Sequence, residues 1–444
     1  MTDRAYVLHQ KNLRHSDHAA IAQATQNHDE VIPIFIFDPH FYQQDGLACD
    51  SRLHFMHQCL HDLTVTLYHD DPITVTNYIT DPIYTIHTAT GRYGMKRNEK
   101  LHQNNVTFVQ GDGLNRSENP RQEWSKNIKE YLTGTRYDRP SEDTITLLES
   151  DVTIQEIEDT YDIRPDKTNV PSGGRANALR TLHEFLREPE YWGHISEPTR
   201  HKGVSDLSTY LKFGCLSVRE VYQNVQKHLS GRDKNAITSR LYWNLHYKQK
   251  LLDWAGWMNK AVNPALRNMG TYNKNKWNAL KNGKTGFPMI DAASRQLQDT
   301  GWLNFRNRAM LATFHSNLLN LPWKLGADWM YYHLIDAEAG INYTQWQSQS
   351  SRVGTNLYRI YNPVKQFHDR DIEQASKWIK KYIPELRQLP NKHLAQPEKT
   401  PLHIQDKHNI QIGNDYPYPI IEYEQARHKA RNRLEQREQQ AKQE

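Results

Sequence analysis

Hydrophobic residues near the N-terminus fall in short runs, which are separated by segments with helical periodicity. The runs AYVLH and EVIPIFIFDP are apolar and rich in β-branched residues, which is typical of buried strands. The segment RLHFMHQCLHDLTVTLY then has the periodicity of a helix that leads into a further strand. Strands that alternate with helices form parallel sheets. The pattern therefore predicts a doubly wound α/β domain, similar to a Rossmann fold, over residues 1–130.

The pattern changes after residue 130. Residues 131–170 are polar, charged and weakly periodic, which predicts an interdomain linker. The segment RANALRTLHEFLR then has apolar residues on one helical face, namely Leu179, Leu182, Phe185 and Leu186. This character continues, so residues 171–400 are predicted to form an all-helical domain. Residues 401–444 end in the charged segment YEQARHKARNRLEQREQQAKQE, a predicted tail that is either an exposed helix or frayed.

The composition limits the class of protein. A chain of 444 residues is long enough for two domains, each with its own core. Its three cysteines include no CxxC pair, which argues against a disulfide framework and against a thiolate metal site. The first residues lack a basic stretch followed by an apolar region, and no apolar run is long enough to span a bilayer. We therefore expect a cytoplasmic protein with no membrane partner.

The net charge of the chain excludes few functions, and its aromatic content says more about the ligand. A net charge of +5 with 23 histidines is compatible with a polyanionic partner but does not require one. The chain has 11 tryptophans and 24 tyrosines, and the tryptophans lie mostly in the second half, where they exceed what core packing needs. Indoles clustered in a helical domain are typical of a protein that stacks on a flat ligand.

Two glycine-containing segments resemble nucleotide-binding loops but lack required residues. The segment NGKTG follows Asn278, which stands where a phosphate loop needs its first glycine. The segment GDGLNR has Arg116 where a dinucleotide fingerprint needs its third glycine. Both segments are therefore predicted to be turns.

Three segments of the helical half carry polar residues that an ordinary core does not need. The first, GVSDLSTYLKFGCLS, places Ser205, Ser208 and Thr209 at the predicted start of a helix. Hydroxyl and backbone N–H groups at such a start can cap the helix or hold a phosphate. From these residues alone, capping is the simpler interpretation.

The other two segments suggest a buried ion pair. GWLNFRNRAM puts Arg306 and Arg308 inside an apolar helical segment, and LIDAEAGINYTQWQSQSS carries Asp336 ahead of Trp346. A buried guanidinium needs a carboxylate partner, so Arg308 and Asp336 are the predicted pair. From these residues alone, the pair is equally compatible with an ordinary contact between two helices.

Taken in order, the motifs resemble those of the cryptochrome/photolyase family of flavoproteins. The similar segments are IPIFIFDP, GGRANALRTLHEFL, LSTYLKFGCLS, TGFPMIDAASRQL, TGWLNFRNRAM and RIYNPVKQ, and they extend over nearly the whole chain. The resemblance implies an α/β antenna domain followed by an all-helical domain that binds FAD in a folded conformation. This agrees with the division that the hydrophobic pattern predicts.

The resemblance also implies roles for residues at the cofactor. Four residues match the family's loop around the FAD diphosphate: Ser205, Leu207, Ser208 and Thr209. Asp206 stands where an arginine is common, so phosphate binding there depends more on hydroxyl and backbone groups. Arg308 matches the arginine beside the isoalloxazine ring, and Asp336 matches its acidic partner. Glu338 matches an acidic residue at the polar edge of the ring.

Three further residues match the family's electron-transfer machinery. Asn342 matches the residue opposite flavin N5, where an asparagine resembles photolyases, and a neutral amide can bond N5 in its unprotonated or its N–H form. Trp346 matches the tryptophan nearest the flavin in the photoreduction chain, and Trp323 matches the middle one. The third tryptophan has no match, and its unranked substitutes are Tyr272, Trp277 and Trp329.

The pocket that holds a pyrimidine dimer in repair enzymes of the family differs in this chain. The segment SRLYWNLHYKQKL lacks the Glu of the family's Glu-x-x-Trp-Arg helix, and Ser348 replaces the second tryptophan of the pocket. Phe305 replaces an asparagine. The residues predicted to contact damaged DNA are Trp243, His246, Phe305, Arg306, Gln347 and Arg352.

Two functions are compatible with the resemblance. The first is light-dependent DNA repair by a carbon–carbon lyase, in which photoexcited reduced FAD splits cyclobutane pyrimidine dimers. The second is a cryptochrome-like blue-light photoreceptor that photoreduces FAD through tryptophans without repairing DNA. Asn342 favours the first, and the altered pocket favours the second. The resemblance also implies a monomer, requires no metal and allows a second antenna chromophore, which is a deazaflavin, a folate or another flavin.

Overall fold

The computed structural model describes residues 3–42, 47–189, 191, 204–354, 358–369 and 371–443, with side chains to residue 440. The chain forms two compact units. Unit 1 comprises Met1–Gly193, Gly203–Ala255 and Ile335–Ile341, and unit 2 comprises His194–Lys202, Gly256–Leu334 and Asn342–Glu444. The domain boundaries expected from the sequence stay predictions.

Unit 1 contains a five-stranded parallel sheet of order β3-β2-β1-β4-β5. Its strands are β1 (Arg4–His9), β2 (Glu30–Phe37), β3 (Thr66–His69), β4 (Ile83–Ile86) and β5 (Val106–Val109). Its helices are α1 (Ala19–Asn27), α2 (Asp50–His61), α3 (Pro72–Tyr78), α4 (Arg92–Gln103), α5 (Trp124–Thr133), α6 (Ile154–Thr160), α7 (Arg175–Arg187), α8 (Ser208–Phe213), α9 (Val218–His228) and α10 (Gly231–Asp253).

The central strands are apolar along most of their length because helices cover both faces of the sheet. Alternate residues of a strand point to opposite faces. Val31 packs with Ile21 of α1 on one face, whereas Ile32 and Ile34 pack with Leu101 of α4 on the other. This arrangement confirms the doubly wound α/β fold predicted from the runs AYVLH and EVIPIFIFDP.

Helix α7 spans the thirteen residues of the predicted helix RANALRTLHEFLR. Leu182 and Phe185 of its apolar face are buried in a core cluster, and Leu179 and Leu186 are partly buried against the same cluster. The cluster also includes Leu207 beside the start of α8. The helical periodicity of this segment is thereby confirmed.

After α10 the chain continues as helices. They are α11 (Lys274–Lys281), α12 (Pro288–Thr300), α13 (Phe305–Thr313), α14 (Trp323–His333), α15 (Ala339–Gln349), α16 (Pro363–His368), α17 (Ile372–Tyr382), α18 (Leu402–Lys407) and α19 (Tyr423–Gln443). A π-helical turn, Phe314–Leu318, extends α13. The charged C-terminal segment is the helix α19, and its Leu434 is buried against Leu266 and Met269.

Two negative findings hold for the part of the chain that the structure describes. No helix there has both the length and the apolar character that crossing a bilayer requires. Within the same ranges, no cluster of histidine, cysteine and carboxylate side chains is arranged to hold a metal ion.

Candidate functional site

Helix α8 and the residues before it contain the predicted phosphate-binding segment of unit 1. The helix starts at Ser208, and its N-cap residue Leu207 makes no side-chain capping bond. Thr209 is buried and Ser208 is exposed at this first turn. The hydroxyls therefore do not cap the helix in the usual way, and their contact with the diphosphate stays a prediction.

Asp206 lies directly before this helix start in the left-handed backbone region, with a φ of 52°. The surrounding protein desolvates its carboxyl group and raises its pKa to about 6. Asp206 is consequently half ionised near pH 6 and mainly a carboxylate at pH 7. The neutral form is compatible with a neighbouring phosphate, whereas the carboxylate repels it.

Glu338 is surrounded by three lysines of unit 1, Lys11, Lys212 and Lys248, which we call the lysine cluster. The Nζ atom of Lys11 donates to the two carboxylate oxygens at 3.0 and 3.3 Å. The Nζ atom of Lys212 lies 3.9 Å from the nearer oxygen. Burial alone would raise the pKa of Glu338, but the charges of the lysine cluster outweigh it and lower the pKa to about 2. Glu338 is therefore a carboxylate at every physiological pH.

Two of the lysines, Lys212 and Lys248, are destabilised as cations. Burial, and secondly the charge of Lys11, lowers the pKa of Lys212 to about 7. Burial also lowers the pKa of Lys248. Two positive charges, and a third when Lys212 is protonated, thus face one negative charge in a largely buried place, which favours an additional anion there.

The loop that carries Lys11 is held against the end of α8. The backbone N–H of Leu13 donates to the carbonyl of Phe213 at 2.9 Å. Gly214 follows with a φ of 71°, and a Cβ at this position would meet the backbone of Asn12. Glycine at position 214 therefore permits the close approach that brings Lys11 to Glu338.

Asn342 lies in unit 2, largely buried on α15. Its side-chain nitrogen donates to the carbonyl of Ala327 at 3.0 Å. A carbonyl can only accept, so this bond fixes the orientation of the amide. The side-chain oxygen of Asn342 is the atom left to accept a hydrogen bond from a ligand N–H group.

Arg308 also lies in unit 2, and its Nε atom donates to the carbonyl of Leu303 at 2.8 Å. Its expected partner Asp336 belongs to unit 1. The ion pair between the two stays a prediction.

The two predicted electron-transfer tryptophans are both buried in unit 2. Trp346 is 3% exposed, and its indole nitrogen donates to the hydroxyl of Ser316 at 3.3 Å. A Cβ added to Gly326 would collide with the ring of Trp346, so glycine permits the contact between α14 and α15. Trp323 is the first residue of α14.

Trp243 and His246 lie on the outer part of α10. Trp243 is 44% exposed and stacks on Tyr247, with ring centroids 5.4 Å apart. His246 accepts a hydrogen bond from Arg121 at 3.2 Å and contacts the ring of Trp124. Burial, followed by the charges of Lys250 and Arg121, lowers the pKa of His246 to about 4, so its ring is neutral.

Phe305 and Arg306 open helix α13 in unit 2. Phe305 is exposed, and the guanidinium of Arg306 lies over the ring of Tyr361 at 5.5 Å. Arg306 also donates to the Tyr361 hydroxyl at 3.3 Å. Phe305 is thus accessible to a large partner, whereas Arg306 is partly buried against Tyr361.

Two of the residues predicted to contact DNA are buried. Gln347 is fully buried, and its amide bonds the backbone of Trp257, Lys260 and Val262. Arg352 is fully buried as well and donates to the carbonyl of Ser350 at 2.7 Å. Gln347 thus satisfies buried backbone groups, whereas the Nε and Nη2 atoms of Arg352 are buried without a hydrogen-bond partner among the described residues, and neither side chain is exposed in this structure.

Comparison with known proteins identifies the family of the chain. Residues 237–436 match the model of the FAD binding domain of DNA photolyase, and residues 5–71 match the DNA photolyase model. A deoxyribodipyrimidine photo-lyase of Alkalihalophilus pseudofirmus is 30% identical over 264 residues, which are 58% of this chain and 54% of that protein. The chain belongs to the photolyase/cryptochrome family. A cryptochrome-1 of Aedes aegypti is also 30% identical, over 59% of this chain and 52% of its own length. The match thus spans about half the length of these relatives.

Solved structures of photolyases and cryptochromes share the fold. A class III photolyase of Agrobacterium tumefaciens superposes with a TM-score of 0.84 at 20% identity, over 99% of this chain and 98% of its own. An archaeal photolyase of Sulfolobus tokodaii with two FAD molecules has a TM-score of 0.81 at 23% identity, over 98% of this chain and all of its own. Both the photolyase/cryptochrome fold and the FAD-binding domain predicted from the motifs are therefore confirmed.

The lysine cluster is the part of the site that the sequence does not reveal. Lys212 follows Ser208 by four residues in the motif LSTYLKFGCLS, so helical spacing alone places both side chains on one face of α8. Lys11 and Lys248 have no such local signal, because the fold brings them to Glu338 from distant parts of unit 1.

Proposed function

We propose that the protein is a light-dependent DNA repair enzyme that splits cyclobutane pyrimidine dimers. Bound FAD, when reduced and illuminated, supplies the electron that opens the dimer and takes it back afterwards. The observation that carries the proposal is the orientation of Asn342, whose nitrogen is engaged by Ala327. This bond uses one of the two N–H groups of the amide, and the oxygen can accept from the N5 hydrogen that reduced flavin carries.

The chain's residues fit the cofactor chemically. In unit 1, we assign the diphosphate to the start of α8, with Ser205, Leu207, Ser208 and Thr209 as its contacts. The lysine cluster and Glu338 supply excess positive charge, which stabilises anionic groups of the cofactor. In unit 2, we assign Arg308 to the ring, Asn342 to N5 and Trp346 to the first step of its photoreduction.

Damaged DNA is the proposed partner, and the exposed aromatic residues support it. An extruded base stacks on aromatic side chains, and the phosphates of DNA bind cations. Trp243 and Phe305 are exposed, and Arg306 lies beside Phe305 on α13. His246 is neutral and supplies a further ring. These four side chains form the revised set of proposed DNA contacts.

A blue-light photoreceptor is the second candidate function. The observation that favours it is the burial of Gln347, together with Ser348 in place of the second pocket tryptophan. The polar groups that would pair with thymine carbonyls are then missing at these positions. Under this alternative, FAD is photoreduced through Trp346, and no dimer is split.

The remaining proposals concern the surroundings of the enzyme. We propose a carbon–carbon lyase that acts as a monomer in the cytoplasm. The parallel sheet of unit 1 is the proposed binding domain for a second, antenna chromophore, which is a deazaflavin, a folate or a flavin.

The test is an illumination experiment on the holoenzyme. The protein is reconstituted with FAD, reduced without oxygen, mixed with an ultraviolet-damaged oligothymidylate and illuminated with blue light. We expect dimers to be lost in the light and retained in an identical dark sample. Retention of every dimer in the light, with flavin bound and reduced, would exclude the repair function and leave the photoreceptor.

A further inference from the structure

An unbroken series of aromatic contacts runs through unit 2 from Trp346. The ring of Trp346 meets the ring of His315 with centroids 5.7 Å apart. His315 meets Trp277 at 5.5 Å, and Trp277 meets Trp329 at 5.8 Å. Each contact is edge-to-face, with interplanar angles of 75°, 82° and 81°. We call these four residues the aromatic series.

The aromatic series ends near solvent. Trp346 and Trp277 are buried, whereas Trp329 is partly exposed. Trp329 contacts the ring of His333 at 5.5 Å, and His333 contacts Tyr332 at 5.0 Å. Tyr332 is 37% exposed. A charge that moves along these rings therefore reaches a residue that water and small reductants can approach.

The inner end of the series is held in a fixed geometry. A Cβ on Gly326 would clash with the ring of Trp346 and would lie 3.0 Å from the ring of His315. Ser316 accepts the indole N–H of Trp346 and lies 3.3 Å from Nδ1 of His315. Burial, followed by the charge of Arg352, lowers the pKa of His315 to about 3, so the imidazole is neutral. A neutral bridge places no positive charge between the two indoles.

Trp323 is differently placed. It is buried at the first turn of α14, but among the described residues it makes no ring contact with another aromatic side chain. Trp323, the predicted middle tryptophan, therefore has no ring contact that connects it to Trp346, whereas Trp277 is connected to Trp346 by the ring of His315.

We propose that Trp277 and Trp329 form the electron path between Trp346 and solvent, with His315 as the bridge. The proposal rests on the flavin photochemistry proposed above. Trp346 gives one electron to photoexcited oxidised flavin, Trp277 restores Trp346, and Trp329 restores Trp277. Trp329 then loses its indole proton to water, and an external thiol returns one electron and one proton to it. The thiol is oxidised overall, the flavin is reduced, and every tryptophan is regenerated.

The test compares four single variants of the FAD-loaded protein: Trp277→Phe, Trp329→Phe, Trp323→Phe and Trp378→Phe. Trp378 is a buried control outside the series, and its indole donates to Gln296 at 2.8 Å. Flavin photoreduction is followed by absorbance with a thiol donor present. We expect Trp277→Phe and Trp329→Phe to slow photoreduction about tenfold or more, a barrier change of about 1.4 kcal/mol or more. Trp378→Phe is expected to match the parent, and Trp323→Phe to lose less rate than Trp277→Phe.

A second readout does not depend on the rate. After illumination in air without thiol, peptide mapping by mass spectrometry is expected to find oxidised tryptophan mainly at Trp329. In Trp277→Phe this product is expected to disappear from position 329. Denaturant midpoints and FAD affinities equal to those of the parent protein establish that each variant is folded and loaded.

The outcomes separate this proposal from dimer repair. Photoreduction of Trp277→Phe at the parent rate, or oxidation centred on Trp323, would overturn the aromatic series even if chemically reduced enzyme repairs DNA. Loss of photoreduction in Trp277→Phe and Trp329→Phe supports the series even if no dimer is split.

Discussion

At the scale of single residues, the charges around Glu338 are unbalanced. One carboxylate faces the three ammonium groups of the lysine cluster in a largely buried place. Loss of a proton from a lysine reduces this excess of positive charge, because a buried amine without a full counter-charge loses its proton more easily. Lys212 carries this effect most clearly, with a pKa of about 7. Its charge at neutral pH is therefore set by whichever anion lies beside it.

Substitution of Lys212 by methionine is expected to stabilise the apoprotein at neutral pH. The folded pKa of about 7 lies below the usual 10.5, so between these values the unfolded chain binds more protons. The free energy of unfolding then rises with pH through that window. In Lys212→Met this rise is expected to shrink, with a gain on the order of 1 kcal/mol at pH 7. Urea unfolding at pH 7 and pH 10 measures it.

Lys126→Met is the matched control, because that lysine is 63% exposed. It is expected to leave the pH profile of unfolding unchanged. An Lys212→Met protein that is less stable than its parent at pH 7 would contradict the lowered pKa of Lys212.

Asp206 predicts a pH dependence of cofactor binding. Its pKa of about 6 means that the carboxyl group ionises as the pH rises from 5 to 8. A carboxylate repels the cofactor's diphosphate, so FAD affinity is expected to fall over this range, on the order of tenfold. Asp206→Asn is expected to bind FAD more tightly than its parent at pH 8 and equally at pH 5. Quenching of FAD fluorescence measures both, and parallel pH profiles would count against the assignment of this segment to the diphosphate.

At the scale of elements, local patterns identify strands and helices well, and contacts between them poorly. The strands β1 and β2 and the helix α7 can be recognised from the sequence. Burial on one or both of their faces requires apolar residues at regular spacings along the chain. The π-helical turn Phe314–Leu318, which contains His315, has no such regular spacing of apolar residues and cannot be recognised in this way. The order of Trp277 and Trp329 after Trp346 likewise depends on how α11, α14 and α15 pack, which no short sequence pattern encodes.

The packing of α14 against α15 can be tested at Gly326. Gly326→Ala introduces a Cβ into the space of the Trp346 ring, and overpacking of this kind lowers the free energy of unfolding by about 1–3 kcal/mol. In a Trp346→Phe background the smaller ring is expected to accommodate the Cβ. The double variant should therefore lose less stability than the sum of the two single variants. Strict additivity in denaturant unfolding would show that the two residues are not in contact.

At the scale of the whole molecule, the motifs correctly predict the fold and the FAD-binding domain, because their order extends along most of the chain. They do not predict which polar residues face a ligand. Gln347 and Arg352 stand in a motif that suggests DNA contacts, yet both are fully buried and bond backbone groups. The demand of a buried backbone for hydrogen bonds arises only once the helices have packed. The role of Asn342 at the flavin stays a prediction, and its bond to Ala327 leaves the amide oxygen to accept a hydrogen bond.

The turnover of dimers per flavin tests the central claim most directly. Anaerobic holoenzyme with reduced FAD is illuminated with an excess of ultraviolet-damaged oligothymidylate, and the dimers and the flavin absorbance are measured in the same sample. Because the electron returns after each cycle, we predict that more dimers are split than flavins are present, while the flavin stays reduced. An unchanged number of dimers with fully reduced flavin would contradict the proposed repair activity.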